Sequence, residues 1–465
     1  MNALLEPGTV LDGFRVGEQL HAGGMGVLYR VSGPDLGFPL VMKVPRLGHG
    51  EPGEAIVTYE VEQTVLAALH GPYVPRFVAA GDLATQPYLV MEWIEGRSLK
   101  EWTGRGPLPV TDVVRLGGAI ATAVHALHQQ EAIHLDLKPS NVLLRPDGTA
   151  VLIDLGLAAH AHYPDLLAEE FRHPIGSAPY ISPEQVLGVR SDPRSDLFSL
   201  GVILYELATG KLPYGAPTSP AGLRKRLFRD PIPPRTLERS VPPWLQEIVL
   251  RCLEPDARER YASAAQLAFD LAHPEQVPLG ERAHRTRRRA RLRALLSWIR
   301  AAGLEPKPAA SPRAQLSSAP IVLVAIATSH GNEAQFEALR EAVARLLSGK
   351  DATRLACVTV IRPTPELGGS SAAETATSQR IKHLVLLRHW AEPLRLPPGR
   401  VSFHTLESGD PAEALLDYAR QNHVDHVIIG APPPDLPFKG LLGTIPTKVA
   451  LDAPCTVTVV RPRGG

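Results

Sequence analysis

Within the run Ala132-Ile-His-Leu-Asp-Leu-Lys-Pro-Ser-Asn-Val-Leu-Leu144, three polar residues stand at fixed offsets inside an apolar frame. Asp136 can accept a proton from a hydroxyl, Lys138 can neutralise a phosphoryl group, and Asn141 offers a neutral oxygen to a hard cation such as Mg²⁺. Apolar flanks can clamp all three in one loop. Taken alone, the same residue types also suit an ordinary surface turn. Beyond Asn141, the short apolar strand Val151-Leu-Ile ends in Asp154, which supplies a carboxylate as a second metal ligand.

As an ordered set, His134-Leu-Asp-Leu-Lys-Pro-Ser-Asn141, Asp154-Leu-Gly156 and Ser182-Pro-Glu184 resemble three segments of bacterial eukaryotic-like (Hanks-type) serine/threonine protein kinases: the catalytic loop, the metal-binding segment and the end of the activation segment. The resemblance covers residues 12 to 272 and implies a bilobal α+β protein-kinase fold. It implies ATP and Mg²⁺ as cofactors, protein substrates, Asp136 and Lys138 as catalytic residues, and Asn141 and Asp154 as metal ligands. Lys138, two residues after the Asp, is the form seen in kinases that act on Ser and Thr.

Other elements must position that loop. Residues 12 to 45 alternate as strands do, with Leu20-His-Ala-Gly-Gly-Met-Gly-Val-Leu-Tyr29 as a glycine-rich hairpin. Such a hairpin by itself signals only a tight turn. The resemblance aligns Gly23 and Gly26 with the second and third glycines of the kinase loop over the phosphates, and sets His21 where the first stands. It assigns Lys43 to the α- and β-phosphates and Val41 to the adenine, and adds Leu28 and Leu143 to the nucleotide site. Helical apolar spacing runs from 54 to 70; there Glu62 matches the glutamate that pairs with the strand lysine, and Glu60 is the competing candidate. Pro87-Tyr-Leu-Val-Met-Glu-Trp-Ile-Glu-Gly96 resembles the hinge, with Met91 as gatekeeper and backbone groups of Glu92 and Ile94 facing adenine. After residue 110 the pattern turns helical, over Val113 to Gln130, Ser195 to Glu206, and around 243–253 and 262–272. Asp196 is placed to brace the catalytic loop, and Glu184 and Arg260 resemble the family's buried ion pair.

The chain has 465 residues, 44% of them hydrophobic, which is material for two cores. Its formal net charge of +1 gives no general attraction to nucleic acid or anionic membranes. Cys252, Cys357 and Cys455 lie far apart in apolar runs and suit reduced core thiols, as in the cytoplasm. The amino terminus lacks the features of a signal peptide, and no stretch approaches the ~20 apolar residues of a membrane span. A soluble, cytoplasmic protein is expected.

Residues 273–319 read as a basic, Pro- and Ala-rich linker. Its stretch 282–300 holds eight arginines and no acid, with Leu292, Leu295, Leu296 and Ile299 at helical spacing. That helix suits contact with an acidic membrane surface or a partner, or packing on one of the chain's own domains. From Ile321 the pattern becomes βα alternation, which predicts an α/β doubly wound parallel sheet. Residues 320 to 462 resemble a universal stress protein domain, placed to regulate the kinase or to pair two chains into a homodimer.

Departures from these families carry three expectations. His21 and Leu135 motivate an alternative, a pseudokinase scaffold without phosphoryl transfer; a further alternative makes the stress-protein half the working part, as a nucleotide sensor. Leu135 stands where many relatives carry an arginine that pairs with a phosphorylated activation loop, and Leu157 to Ile175 contains no Ser or Thr, only Tyr163. A loop ordered without phosphorylation is expected, with Glu169 and Glu170 as candidates to hold it. In the stress-protein half, the phosphate-cradling loop carries Pro433 in place of its second glycine and the nucleotide-contacting aspartate falls on Ala327. Weak or no ATP binding is expected there, with Lys439, Gly443 and Thr444 left to hold an anion.

Overall fold

The computed structural model describes residues 5–23, 26–46, 52–82, 86–171, 173–288, 320–329, 333–348, 352–363, 370–397, 400–431 and 445–462. The chain divides into two compact units, Met1–Ala272 with Leu279–Ala314, and His273–Pro278 with Gln315–Gly465.

The first unit opens with a six-stranded antiparallel sheet of β1 (Val10–Leu11), β2 (Phe14–Ala22), β3 (Gly26–Ser32), β4 (Leu40–Pro45), β5 (Phe77–Ala80) and β6 (Leu89–Glu92), in the order β1-β2-β3-β4-β6-β5. Side chains alternate between the two faces of a strand. One face is a core in which Val16, Val27, Tyr29, Met42, Val44 and Val90 pack with Phe14 and Tyr88. The register sets Leu28 opposite Lys43 and Val41 opposite Met91. Paired residues lie on the same side, so these four share the face turned away from the core. Helix Pro52–Ala68 packs beside β4 and buries Tyr59, Glu62, Val65 and Leu66. The Tyr59 hydroxyl donates to the Tyr88 carbonyl at 2.8 Å and ties that helix to the strands.

The rest of the first unit is helical. In helix Val110–Gln129, Val113, Leu116, Ile120, Val124 and Leu127 form one inward stripe against helices Arg194–Thr209 and Ala264–Ala272. Among the described residues it is the one helix long and apolar enough to cross a membrane, and half of that stretch is buried in the fold. Two short antiparallel pairs frame the polar loop of interest: Ala132–Ile133 pairs with Ala159–His160, and Val142–Leu144 pairs with Ala150–Leu152. Residues 134–141 are thereby held between two strands.

The stretch expected as one linker divides between the two units. His273–Pro278 packs with the second unit, whereas Arg282 of the short helix Glu281–His284 pairs with Glu247 at 2.8 Å and Glu254 at 3.1 Å in the first. Arg285 lies 3.7 Å from Asp230. The first part of the basic stretch is thus neutralised by acids of its own unit; Leu292, Leu295, Leu296 and Ile299 lie outside the described residues.

The second unit is a five-stranded parallel sheet in the spatial order Val401–Glu407, Arg354–Ile361, Ile321–Ala325, His426–Gly430, Thr456–Val460. Val322, Val324, Leu355, Cys357 and Ile428 form a core with Leu339 and Val343 of helix Glu333–Leu347 and with Leu387 and Trp390 of helix Ser370–Ala391. Strand order reverses between Ile321–Ala325 and His426–Gly430, which is where open α/β sheets take ligands. Gln335 reaches into that place: its Nε2 donates to the Ala431 carbonyl at 3.3 Å, and a Cβ at Gly430 would overlap it. Ala327 is exposed, and the loop with Pro433, Lys439, Gly443 and Thr444 lies outside the described residues. Cys252 and Cys357 are buried free thiols, whereas Cys455 is only half-buried.

Candidate active site

Lys43 on β4, Glu62 on the packed helix and Asp154 beyond strand Ala150–Leu152 come from three separate parts of the chain and meet. The Lys43 Nζ donates to Glu62 Oε2 at 2.6 Å and to Asp154 Oδ1 at 2.8 Å. Glu62, not Glu60, is therefore the partner. Burial alone would lower the Lys43 pKa, but the two carboxylates outweigh it and hold the amine above the ordinary lysine range. Burial opposes ionisation of Asp154 as well, yet Lys43 keeps it below its ordinary value. The pair is charged.

The loop 134–141 is built around Asp136. Its Oδ1 accepts from the Ser177 amide at 2.8 Å, and its Oδ2 accepts from Lys138 Nζ at 2.6 Å and Asn141 Nδ2 at 3.2 Å. Asn141 Nδ2 also donates to the Asp136 carbonyl at 3.0 Å, which orients the amide and leaves Oδ1 as its acceptor end. His134 Nε2 faces the Ile153 carbonyl at 3.2 Å and so carries the proton, while Nδ1 accepts from the Asp136 amide at 3.3 Å. Asp196, fully buried, accepts from the amides of His134 and Leu135, each at 2.9 Å, and lies 2.8 Å from His128 Nε2. Its pKa is lowered: burial opposes this, but His128, His134 and the donated bonds prevail. The bracing expected of Asp196 is in place.

The nucleotide-site candidates line the sheet face above these groups. Gly26 is required by close approach, since a Cβ there would sit 2.6 Å from the Val44 carbonyl oxygen. His21 is exposed, with its ring turned over Gly23 so that Nε2 would lie 3.3 Å from a Cβ at that position. Leu28, Met91 and Leu143 are partly exposed, and Val41 and Ile94 are buried. The Glu92 side chain accepts from Arg145 at 2.7 Å, tying the hinge to the hairpin after the polar loop. The donor set suits the groups a kinase uses. Asn141 Oδ1 and the Asp154 carboxylate are hard oxygen ligands for a divalent cation, and Lys43 offers a fixed positive charge to phosphates.

Two features escaped the sequence reading. Ser177 joins Lys138, whose Nζ donates to its Oγ at 2.9 Å; its only sequence signal is that it is the first Ser or Thr after Asp154. Arg190 holds the activation segment: its Nε donates to Asp165 at 2.9 Å and 3.1 Å, and its NH2 donates to the Leu157 carbonyl at 2.9 Å. Asp165 in turn caps helix Leu166–Glu170 by accepting from Ala168 N at 3.1 Å. Asp165 is a carboxylate anchor of the segment; the side chains of Glu169 and Glu170, also expected to hold it, lie outside the described part. Glu184 and Arg260 form the bidentate pair, at 2.7 Å and 2.8 Å.

Residues 14–271 match the family model described as protein kinase domain, and residues 320–461 match that of the universal stress protein family. Serine/threonine-protein kinase pkn2 of Myxococcus xanthus is 36% identical over 275 residues, covering 57% of this chain and 32% of that protein. PknB of Mycolicibacterium smegmatis is 29% identical over 279 residues, covering 58% of this chain and 45% of its own. PknL of Mycobacterium bovis is 30% identical over 279 residues, covering 60% and 69%. The chain thus spans less than half the length of the first two. Its sequence, from the glycine hairpin to the Glu184–Arg260 pair, belongs to the protein kinase domain family, with a universal stress protein domain following at residues 320–461.

Proposed function

We propose that the protein is a Mg²⁺- and ATP-dependent serine/threonine protein kinase, acting on protein hydroxyls in the cytoplasm. The observation that carries this reading is the Lys43 ammonium held between Glu62 and Asp154, with Asn141 and Asp136 adjoining. Magnesium bound to the nucleotide would neutralise charge on the phosphates; Asp154 and Asn141 are the residues to hold it. Lys43 orients the α- and β-phosphates, and its carboxylate partners fix where its charge points. Asp136 receives the hydroxyl proton, with Oδ1 anchored by the Ser177 amide so that the carboxylate keeps one orientation. Lys138, bonded to Asp136 and Ser177, offers its charge to the group in flight. Catalysis then rests on positioning and charge neutralisation. The free thiols fit a reducing compartment.

For residues 320–462 we propose a packing role in place of nucleotide binding, because the Gln335 side chain lies against Gly430 at the strand-order reversal. One sheet edge, Val401–Glu407, is covered by Gln276, and the other, Thr456–Val460, is the edge for pairing two chains. Transfer of radiolabelled γ-phosphate to a generic protein substrate by purified protein tests the kinase reading. Absence of transfer by wild type under Mg-ATP, or equal transfer by Asp154→Asn, would sink it.

A further inference from the structure

Outside the kinase domain, three side chains of the second unit converge. His273 and Glu275 lie on the segment His273–Pro278 and His404 on the edge strand Val401–Glu407, and their ligand atoms all fall within 4.8 Å of one another. Gln276 fastens the segment to that strand. Its Nε2 donates to the Phe403 carbonyl at 3.0 Å, and its Oε1 accepts from the Phe403 amide at 3.3 Å.

The tautomer of His273 follows from its neighbours. Asn422 Nδ2 donates to the Tyr418 carbonyl at 2.9 Å, so the Asn422 Oδ1 facing His273 Nε2 at 2.6 Å is an acceptor. His273 therefore donates from Nε2. Its Nδ1 faces Glu275 Oε1 at 3.7 Å, beyond hydrogen-bond range. A cation seated between Nδ1 and the carboxylate would be held by both. His404, 7% exposed, lies with its ring centroid 4.7 Å from that of His273. Arg354 stands near it and brings a positive charge.

We propose that His273, Glu275 and His404 form a site for one divalent cation of the zinc class. Two imidazoles and a carboxylate are the donors such an ion selects over Mg²⁺ or Ca²⁺. The bond from His273 to Asn422 is the outer-shell contact that orients a ligating histidine. Arg354 opposes a nearby positive charge, and the Glu275 carboxylate offsets it. Tetrahedral zinc at about 2.0–2.1 Å from nitrogen sets ligand separations of roughly 3.3 Å, so binding draws the side chain of Glu275 inward. That side chain is 60% exposed, which leaves it free to move and gives the ion its way in from solvent. The bound ion would pin the segment to the sheet edge that Gln276 already covers.

The test titrates the full chain, stripped with EDTA and free of nucleotide, with zinc chloride in a calorimeter. One saturable equivalent per chain is expected. Glu275→Gln changes only an exposed group, and losing a ligand should weaken binding by no less than the ~10–100-fold that losing an outer-shell partner costs. His404→Ala should abolish it. With Co²⁺ in place of Zn²⁺, the visible d–d absorption of the wild type should be lost in Glu275→Gln, a readout independent of folding. No saturable uptake by wild type overturns the proposal. So does uptake unchanged in both variants, which would put the ion on other histidines such as His160 and His162.

Discussion

Asp165→Asn and Arg190→Met probe whether the activation segment is ordered without phosphorylation. Asn caps a helix as well as Asp, so the first substitution keeps the bond to Ala168 N while removing the charge and the Oδ2 acceptor opposite Arg190. A hydrogen bond to a charged group contributes about 1.5–3 kcal/mol, and Asp165 is 30% exposed, so about 2 kcal/mol, or roughly 30-fold in the ordering equilibrium, is expected. Arg190→Met also removes the donor to the Leu157 carbonyl and should cost about 3 kcal/mol, roughly 150-fold. Hydrogen exchange of amides 166–171 reads this directly, since opening populations scale exchange. Exchange should accelerate by about those factors, with kcat falling more in Arg190→Met than in Asp165→Asn, and phosphatase treatment of wild type should leave activity unchanged. Unaltered exchange in Arg190→Met would refute the anchoring argument. So would loss of activity on phosphatase treatment with a phosphosite mapped between 157 and 175.

Lys43→Met, Asp136→Asn and Asp154→Asn should each abolish phosphoryl transfer while circular dichroism stays native; wild-type turnover in any of them removes that residue from the assignment. Glu184→Ala leaves the Arg260 side chain, 0% exposed, without its carboxylate and should cost the first unit about 3–5 kcal/mol in urea unfolding, whereas a loss below about 1 kcal/mol would make the pair ornamental. The full chain should bind one equivalent of ATP, not two; a second saturable micromolar site surviving Lys43→Met would return nucleotide binding to the stress-protein domain. Asp196 has a depressed folded pKa, so its stabilisation is complete above the unfolded value of about 3.9 and is lost as pH falls below it. The urea midpoint of the first unit should fall over that acid range in wild type, and less steeply in Asp196→Asn.

Much of this was legible in the sequence where chemistry is local. The polar loop, the strand ending at Asp154 and the βα alternation each declare themselves within a short window, and the sheet register then puts Leu28, Val41, Lys43 and Met91 on one face. Element ends were less legible. Helix Val110–Gln129 starts before its first core residue, Val113, because the backbone opens it, with a bond from the Val113 amide back to the Pro109 carbonyl at 3.1 Å, and that bond is blind to the apolar stripe. Two pairings across long separations left no trace: Asp165 meets Arg190 and Glu92 meets Arg145 through tertiary placement alone. The split of 273–319 was hidden for a related reason. Composition marks that stretch as one linker, but Gln276 bonds to Phe403, whereas Arg282 bonds to Glu247.

Leu135 shows how these long-range contacts account for a residue the motif alone leaves odd. It sits at φ 60°, in the left-handed region, as Asp154 does at 63°. For a bulky residue that conformation costs of order 1–3 kcal/mol and persists only where surrounding structure over-determines it. Both backbone groups of Leu135 are engaged: its amide donates to Asp196 Oδ1 at 2.9 Å, and its carbonyl accepts from Gln185 Nε2 at 2.7 Å. Gln185 is itself fixed, through the reciprocal capping bonds with Ser182 at the start of helix Pro183–Val186. The polar loop is thus strapped from one side by a buried carboxylate and from the other by the end of the activation segment. The Leu135 side chain, 1% exposed, has only to fill the space between. An arginine at this position would serve a phosphate that the segment 157–175, lacking Ser and Thr, does not offer on those residues; the ion pair of Arg190 with Asp165 supplies the anchoring in its place.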